Sequence, residues 1–212
     1  VRKAAADGAS FVIGPLQKQA VEELAGTAAL PLPVLALNRV SSPGKPPANL
    51  YQFSLSPEDE AAEAAQQAWE AGHRSALVLH PDSPWGNRIA PDFRQRWAAV
   101  GGRMTATEVY DPSAFNISRP IDNLSAQSGN ADFLFLVATS QTARKIAPQL
   151  RAKAAYDLPI YATSHIYSGR FDPQTDQDLV GLYFVDIPWL VAPDARDSLS
   201  RERLQQRIPA MQ

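Results

Sequence analysis

The stretch Asp7-Gly-Ala-Ser-Phe-Val-Ile-Gly-Pro-Leu16 is a short apolar run closed by Gly14 and Pro15, and helix-type residues follow it at once. This pattern predicts a strand over residues 11–16 whose carboxyl end meets a loop. In open α/β sheets, ligands bind outside the carboxyl ends of the strands, so this loop is the first place where function is expected. Residues 1–6 have the composition of a helix end, so we expect the first strands of this domain to precede Val1.

The rest of the chain alternates short apolar strands with amphipathic helices, which is typical of parallel sheets covered by helices on both faces. Pro91 predicts a kink or a broken first turn in the helix that carries Trp85, Ile89, Phe93 and Trp97. We predict further helices over residues 17–29, 56–72, 117–127, 142–155 and 198–207, and strands over residues 32–37, 50–55, 75–79, 104–110, 131–138, 159–163 and 179–187.

Composition excludes several classes of function. The chain has 212 residues, of which 45% are hydrophobic, enough for a substantial core. Its formal net charge of −2 lacks the basic footprint of a nucleic-acid-binding protein. With no cysteine there can be no disulfide, thiol catalysis or thiolate metal site in this stretch, and no apolar run reaches the roughly 18 residues that a membrane span requires.

No motif with a catalytic or metal-binding spacing is present. His73, His80 and His165 lie in separate segments without the spacing of a zinc site. The glycine-rich dinucleotide and phosphate loops and the Gly-x-Ser-x-Gly elbow are also absent. We therefore expect no catalytic residue, no metal and no cofactor, and a hydrolytic enzyme stays an alternative without a local motif to support it.

Two loops, residues 14–18 and 80–86, follow the carboxyl ends of predicted strands and could face each other. Ser83 before Pro84 fits either a helix cap or a helix start whose free N–H groups dock a ligand. Trp85 fits either a stacking surface or the first core residue of its helix. The residues alone leave both alternatives open.

An ordered series of motifs along nearly the whole chain resembles a type I periplasmic-binding-protein fold. Within that fold the chain is similar to the LppC/LpoA lipoprotein family, the penicillin-binding-protein activators. The resemblance rests on Gly-Ala-Ser-Phe-Val-Ile-Gly-Pro-Leu (8–16), Val-Leu-Ala-Leu-Asn (34–38), Tyr-Gln-Phe-Ser-Leu-Ser-Pro-Glu-Asp-Glu-Ala (51–61), Ala-Leu-Val-Leu-His-Pro (76–81), Trp-Gly (85–86) and Phe-Leu-Phe-Leu-Val-Ala (133–138).

The resemblance implies an α/β protein of two lobes, each a mostly parallel sheet flanked by helices. Residues 1–56 would form part of lobe one without its first strands. Residues 57–187 would form lobe two, and residues 188–212 would be a truncated segment returning to lobe one. Amino-acid-binding relatives place small hydroxyl residues after the Gly-Pro turn and after the second strand of lobe one, where this chain has Leu16-Gln17-Lys18 and Leu37-Asn38-Arg39. That departure favours a scaffold over an amino-acid receptor.

The function implied by the resemblance is a noncatalytic periplasmic regulator that activates a class A penicillin-binding protein, the bifunctional peptidoglycan synthase. Peptidoglycan is an additional candidate partner, and attachment to the outer membrane is expected through a lipoprotein anchor upstream of this chain. The alternative is a periplasmic solute-binding receptor for a small polar ligand. Candidate cleft or ligand residues are Gly14, Pro15, Leu16, Gln17, Asn38, Arg39, Asp82, Ser83, Trp85, Ser164 and His165. Candidate anchors of a partner surface are Tyr167, Arg170 and Trp189, since aromatic and arginine side chains often anchor interfaces.

Overall fold

Two parallel sheets form the framework of the chain. The computed structural model describes residues 1–40, 44–54, 56–153, 158–170 and 172–186, together with Arg203 and Gln206. The chain divides into two units, Val1–Ser56 and Pro57–Gln212. All strand pairings in the described residues are parallel, as the alternation of strands and helices predicted.

The first unit is a three-stranded sheet with the strand order β1-β2-β3. Its small core packs Val21 of the second helix against Val34, Ala36 and Leu50 of the sheet. The elements of this unit are α1 (Arg2–Ala6), β1 (Val12–Ile13), α2 (Lys18–Ala25), β2 (Val34–Ala36) and β3 (Leu50–Gln52).

The second unit is a five-stranded sheet with the strand order β5-β4-β6-β7-β8. The chain passes from β4 to β5 on one side of the sheet and from β6 to β7 on the other side. The connections therefore leave β4 and β6 in opposite directions, and a topological switch point falls between these two strands. The elements are α3 (Pro57–Glu70), β4 (Ser75–Pro81), α4 (Gly86–Ala99), β5 (Arg103–Tyr110), α5 (Ser118–Ser125), β6 (Phe133–Leu136), α6 (Ser140–Arg151), β7 (Ile160–Ala162) and β8 (Leu182–Phe184).

Helices cover both faces of this second sheet. All seven residues of β4 are buried, and their side chains alternate between two cores. Ala76 and Val78 face the helices α3 and α4, whereas Leu77 and Leu79 face α5 and α6. A parallel strand covered on both faces needs a continuous apolar sequence, and that explains the uninterrupted Ala-Leu-Val-Leu run.

Aromatic side chains of α4 and β6 fill the core under α3 and α4. The rings of Phe93 and Phe135 stack with centroids 4.0 Å apart. The indole N–H of Trp97, a fully buried residue, donates to the carbonyl of Arg103 at 3.0 Å. Ile89, Phe93 and Trp97 are therefore core residues, as their helical spacing predicted.

Several predicted helices and strands are longer than the observed ones, and part of the prediction about α4 is wrong. Of the kink or broken first turn predicted at Pro91, the broken turn is wrong, because α4 continues through this residue from Gly86 to Ala99. Pro91 has no N–H to donate to the carbonyl four residues earlier, so the helix continues with one intrahelical hydrogen bond fewer. The predicted return segment, residues 188–212, lies outside the described residues apart from Arg203 and Gln206, which are helical. Among the helices the structure describes, none is long and apolar enough to cross a membrane.

Candidate functional site

In the first unit, the loops that follow β1 and β2 are tied together by hydrogen bonds. The backbone N–H of Leu37 donates to the carbonyl of Pro15 at 2.9 Å. The side-chain amide of Asn38 donates to the carbonyl of Leu16 at 3.0 Å, and its oxygen accepts the backbone N–H of Arg39 at 2.9 Å. The candidate residues of this unit thus lie next to each other, but the Asn38 side chain is engaged in holding the two loops.

In the turn after β1, Gly14 has a backbone conformation that only glycine adopts readily. Gly14 has a φ of +114°, and the peptide bond to Pro15 is cis. The Leu16 side chain is 69% exposed, and Gln17 precedes α2 without a side-chain hydrogen bond to the helix start. This edge therefore presents an exposed leucine directly after the Gly14–Pro15 turn.

In the second unit, the candidate residues lie in loops that follow β4 and β7. The Ser83 hydroxyl accepts the backbone N–H of Gly86, the first residue of α4, at 3.1 Å, so Ser83 caps the turn that leads into this helix. The exposed Asp82 donates its backbone N–H to the carbonyl of Tyr110 at 2.7 Å. Both residues therefore help to fix the loop after β4.

At the carboxyl edge of the second sheet, two hydrogen bonds join α3 to the loop after β7. One carboxylate oxygen of Glu60 accepts the backbone N–H of Ser164 at 2.8 Å, and the other accepts the Ser164 hydroxyl at 2.9 Å. The Glu60 side chain is only 15% exposed. Hydrogen bonds to a partly buried carboxylate are charge-assisted, so this bridge fixes the loop that carries Ser164 and His165.

Trp85 and His165 form an aromatic pair at the same edge. Their ring centroids are 5.2 Å apart with an interplanar angle of 50°, and Trp85 also packs against the core under α3 and α4. The imidazole Nδ1 of His165 lies 3.3 Å from the Thr163 hydroxyl and 3.9 Å from the Glu60 carboxylate. Trp85 is therefore a core residue, as one of its two alternatives predicted, and a stacking surface for a ligand stays a prediction.

This cluster does not have the connectivity of a hydrolytic triad. In such a triad the histidine stands between the serine and the carboxylate and takes the serine proton. Here the Ser164 hydroxyl donates directly to Glu60, and His165 stacks on Trp85. The Trp85–His165 pair can hold a planar group by stacking. The described residues also contain no group of three metal-ligating side chains.

The strand-end residues beneath these loops are buried and hydrogen-bonded. The Tyr110 hydroxyl donates to the carbonyl of Val137 at 2.9 Å, which links β5 to the segment after β6, and burial raises the pKa of Tyr110. Burial lowers the pKa of His80, and the charge of Arg94 acts in the same direction. The His80 Nδ1 lies 3.1 Å from the Pro81 carbonyl, which can only accept, so this nitrogen carries the proton.

Two of the three predicted anchors of a partner surface, Tyr167 and Arg170, lie in the described part of the chain. Tyr167 stacks on Phe184 with centroids 5.6 Å apart. Arg170 is exposed in the following loop, where its carbonyl accepts the Ser168 hydroxyl. Trp189 lies outside the described residues.

Sequence reasoning missed Glu60 as a member of this edge. Glu60 lies in the first turn of α3, where a carboxylate is expected to interact favourably with the helix dipole. Its actual partner, Ser164, is 104 residues away along the chain. No local signal could reveal that contact.

With the geometry established, comparison with known proteins places the chain. All of its residues, 1–212, match the family described as "LppC putative lipoprotein". The chain belongs to the LppC family. The penicillin-binding protein activator LpoA of Serratia proteamaculans (strain 568) is 33% identical to this LppC-family chain over 222 residues, which cover 87% of the chain and 32% of that protein. The chain thus spans about a third of the length of the curated relatives it matches.

Two solved structures with the same fold are described with different functions. The LpoA (YraM) C-domain from Haemophilus influenzae, a regulator of PBP1A, is similar with a TM-score of 0.71 at 25% identity, covering 98% of this chain and 64% of that one. A "putative branched-chain amino acid ABC transporter" from Chromobacterium violaceum is similar with a TM-score of 0.70 at 30% identity, covering 94% of this chain and 61% of that one. These likenesses confirm the predicted α/β, type I periplasmic-binding-protein-like fold.

Proposed function

We propose that this LppC-family chain is part of a noncatalytic periplasmic regulator that activates a class A penicillin-binding protein in peptidoglycan synthesis. The observation that carries the proposal is the match of the whole chain to the LppC family, whose curated relatives carry the name penicillin-binding protein activator. The Haemophilus influenzae C-domain, described as a regulator of PBP1A, adds support from the fold.

Hydrogen bonding at the strand ends favours a scaffold over a solute receptor. The Asn38 amide holds the loop at Leu16, and the Glu60 carboxylate holds Ser164 with both of its oxygens. Polar side chains that a small ligand would need are thus already engaged inside each unit. A protein whose partner binds an outer surface has no need of free polar groups at these edges.

The proposed location is the periplasm, with attachment to the outer membrane through a lipid anchor elsewhere in the full-length protein. The family's description as lipoproteins supports this location. Peptidoglycan is a second partner in this proposal, since the synthase works on that polymer.

Direct binding tests the proposal. The full-length protein is immobilised and a purified class A penicillin-binding protein from the same cell is passed over it, with an unrelated periplasmic protein of similar charge as the control. We expect saturable binding of the synthase and none of the control protein. Absence of binding to every class A synthase of that cell would refute the proposal.

The second candidate function is a solute-binding receptor, and the Trp85–His165 pair is the observation that favours it. The pair lies at the carboxyl edge of the second sheet, where ligands of open α/β sheets bind. A ligand that binds only the folded state at about 100 times its Kd would stabilise the protein by about 2.7 kcal/mol and raise its Tm. Thermal-shift screening of amino acids, sugars and muropeptides tests this function. A flat response across the set would contradict it, and a shift that Trp85→Ala abolishes would favour it.

A further inference from the structure

An open groove of about 460 Å³ runs along the outer side of α5 and α6 in the second unit. Its apolar wall includes Phe115, Ile121 and Ala152, and its polar rim includes Lys145 and Lys153. Its lining shares no residue with the edge that carries Glu60, Trp85 and His165. None of the residues proposed from the sequence as ligand or partner contacts lines it.

Phe115 is the most exposed of the large apolar side chains in the described part of the chain. It is 86% exposed, although a phenylalanine gains about 2 kcal/mol when it is buried. A single exposed apolar residue is common, but an exposed aromatic side chain beside a groove is a typical anchor of a protein interface. The position of Phe115 therefore indicates a surface that a partner covers.

The loop that carries Phe115 is held on both sides. Before it, the Asp111 carboxylate accepts the backbone N–H and the hydroxyl of Ser113 at 2.8 and 2.6 Å. After it, the Asn116 side chain accepts the backbone N–H of Ser118 at 2.8 Å, and Gln149 of α6 accepts that of Ile117 at 3.3 Å. An anchor in a pre-ordered loop loses less conformational entropy on binding, so a partner gains affinity from it.

The charge of the groove selects the chemistry of its occupant. The lining residues include two lysines and no carboxylate. Lys153 pairs with Asp122 of α5 beside the groove, whereas the exposed Lys145 makes no ion pair within the described residues. An occupant with carboxylates next to an apolar side chain would satisfy both the rim and the wall.

Resting on the proposed function, we propose that this groove receives an acidic segment of the class A penicillin-binding protein. The segment places an apolar side chain against Phe115 and the exposed Ala152, and a carboxylate beside Lys145. A stable protein interface buries about 800 Å² on each partner, so the groove is the anchor of a larger contact. The occupant is thus a loop of a folded synthase whose remaining surface covers the flanks of α5 and α6.

Binding of the full-length protein to its class A synthase tests the groove through two variants, Phe115→Ala and Lys145→Glu. Both side chains are exposed, so the fold and the Tm should not change. We expect Phe115→Ala to raise the Kd about 10-fold or more, as the loss of an interface anchor does. Lys145→Glu should raise the Kd several-fold and weaken its dependence on salt, whereas Lys145→Arg should bind like the unaltered protein.

Matched control variants come from exposed residues of the first unit. Phe53 is 62% exposed and Lys45 is exposed, so Phe53→Ala and Lys45→Glu repeat the two chemical changes on another surface. We expect both controls to bind within about 2-fold of the unaltered protein, which is close to the scatter of neutral interface positions.

The outcomes separate the groove from the proposed function. If the unaltered protein binds and both groove variants bind equally well, the groove proposal is wrong and the activator function stands. Tighter binding by Lys145→Glu would overturn the acidic character of the occupant. If the unaltered protein binds no class A synthase, both proposals fail. Self-association that Phe115→Ala abolishes while synthase binding persists would assign the groove to a second copy of the chain and overturn the proposal.

Discussion

Replacing Glu60 by glutamine tests whether one carboxylate fixes the loop that follows β7. Glu60 accepts two hydrogen bonds from Ser164, at 2.8 and 2.9 Å, and its side chain is 15% exposed. A hydrogen bond to a charged group contributes about 1.5–3 kcal/mol. Glutamine keeps one acceptor oxygen and turns its NH₂ group toward the other donor, so about one of the two bonds is lost. We expect the free energy of unfolding to fall by about 2 kcal/mol.

The measurement is urea unfolding of the full chain, followed by the fluorescence of the tryptophans and by circular dichroism. For a folded unit of roughly 150 residues, a loss of about 2 kcal/mol corresponds to a Tm lower by about 4–8 °C. Glu63→Gln is the matched control, since Glu63 lies on the same helix and, among the described residues, its carboxylate accepts only the exposed Gln67 amide. We expect this control to change the stability by about 0.5 kcal/mol or less.

A double-mutant cycle separates the bridge from the helix dipole, which a carboxylate in the first turn of α3 also stabilises. Ser164→Ala removes only the hydroxyl bond, so it should couple to Glu60→Gln by about 1 kcal/mol. A dipole effect alone would leave the two changes additive. Additive changes, or a Glu60→Gln protein as stable as the unaltered one, would refute the reasoning.

Two further predictions concern the core and the pH dependence of stability. Gly102→Ala should destabilise the protein by about 1–3 kcal/mol and change its near-UV circular dichroism, because the added Cβ would lie 2.1 Å from the buried Trp97 ring. Gly129→Ala meets no atom within 4 Å and should be nearly neutral in the same unfolding assay, and equal effects of the two would contradict this packing. Because burial lowers the pKa of His80 in the folded state, the unfolded state binds more protons, and stability should fall as the pH drops through about 6.5. Between about pH 7.5 and pH 5.5, the Tm of His80→Gln should fall less than the Tm of the unaltered protein. Equal falls in Tm would show that His80 does not cause the pH dependence of stability.

The fold could be predicted from the sequence to the extent that its determinants are local. The apolar run of β4, the helical spacing of Ile89, Phe93 and Trp97, and the left-handed Gly72 after α3 each act within one element. The broken turn at Pro91 was a wrong prediction because tertiary packing can outweigh the loss of one helical hydrogen bond. Ile89, Ala90 and Phe93 around this proline pack into the core, and α4 continues.

The candidate site was harder to predict because its contacts join distant segments. Asn38 and Leu16 are 22 residues apart, and Glu60 and Ser164 are 104 residues apart. The sequence places each of them near a strand or helix end but not against its partner. For the same reason Phe115 was not singled out, since its exposure and the groove beside it depend on how α5 packs against α6. The site residues named from the sequence remain proposals for ligand or partner contact.

The proposed activator function is tested by the rate at which a class A penicillin-binding protein polymerises glycan strands. The purified synthase is given its lipid-linked precursor, with and without the full-length LppC-family protein, and glycan product is measured over time. We expect the rate to rise and saturate as the protein is added, and Phe115→Ala to need a higher concentration to reach half of the maximal effect. An unchanged rate for every class A synthase of the cell, at protein concentrations above that of the synthase, would contradict the activator function.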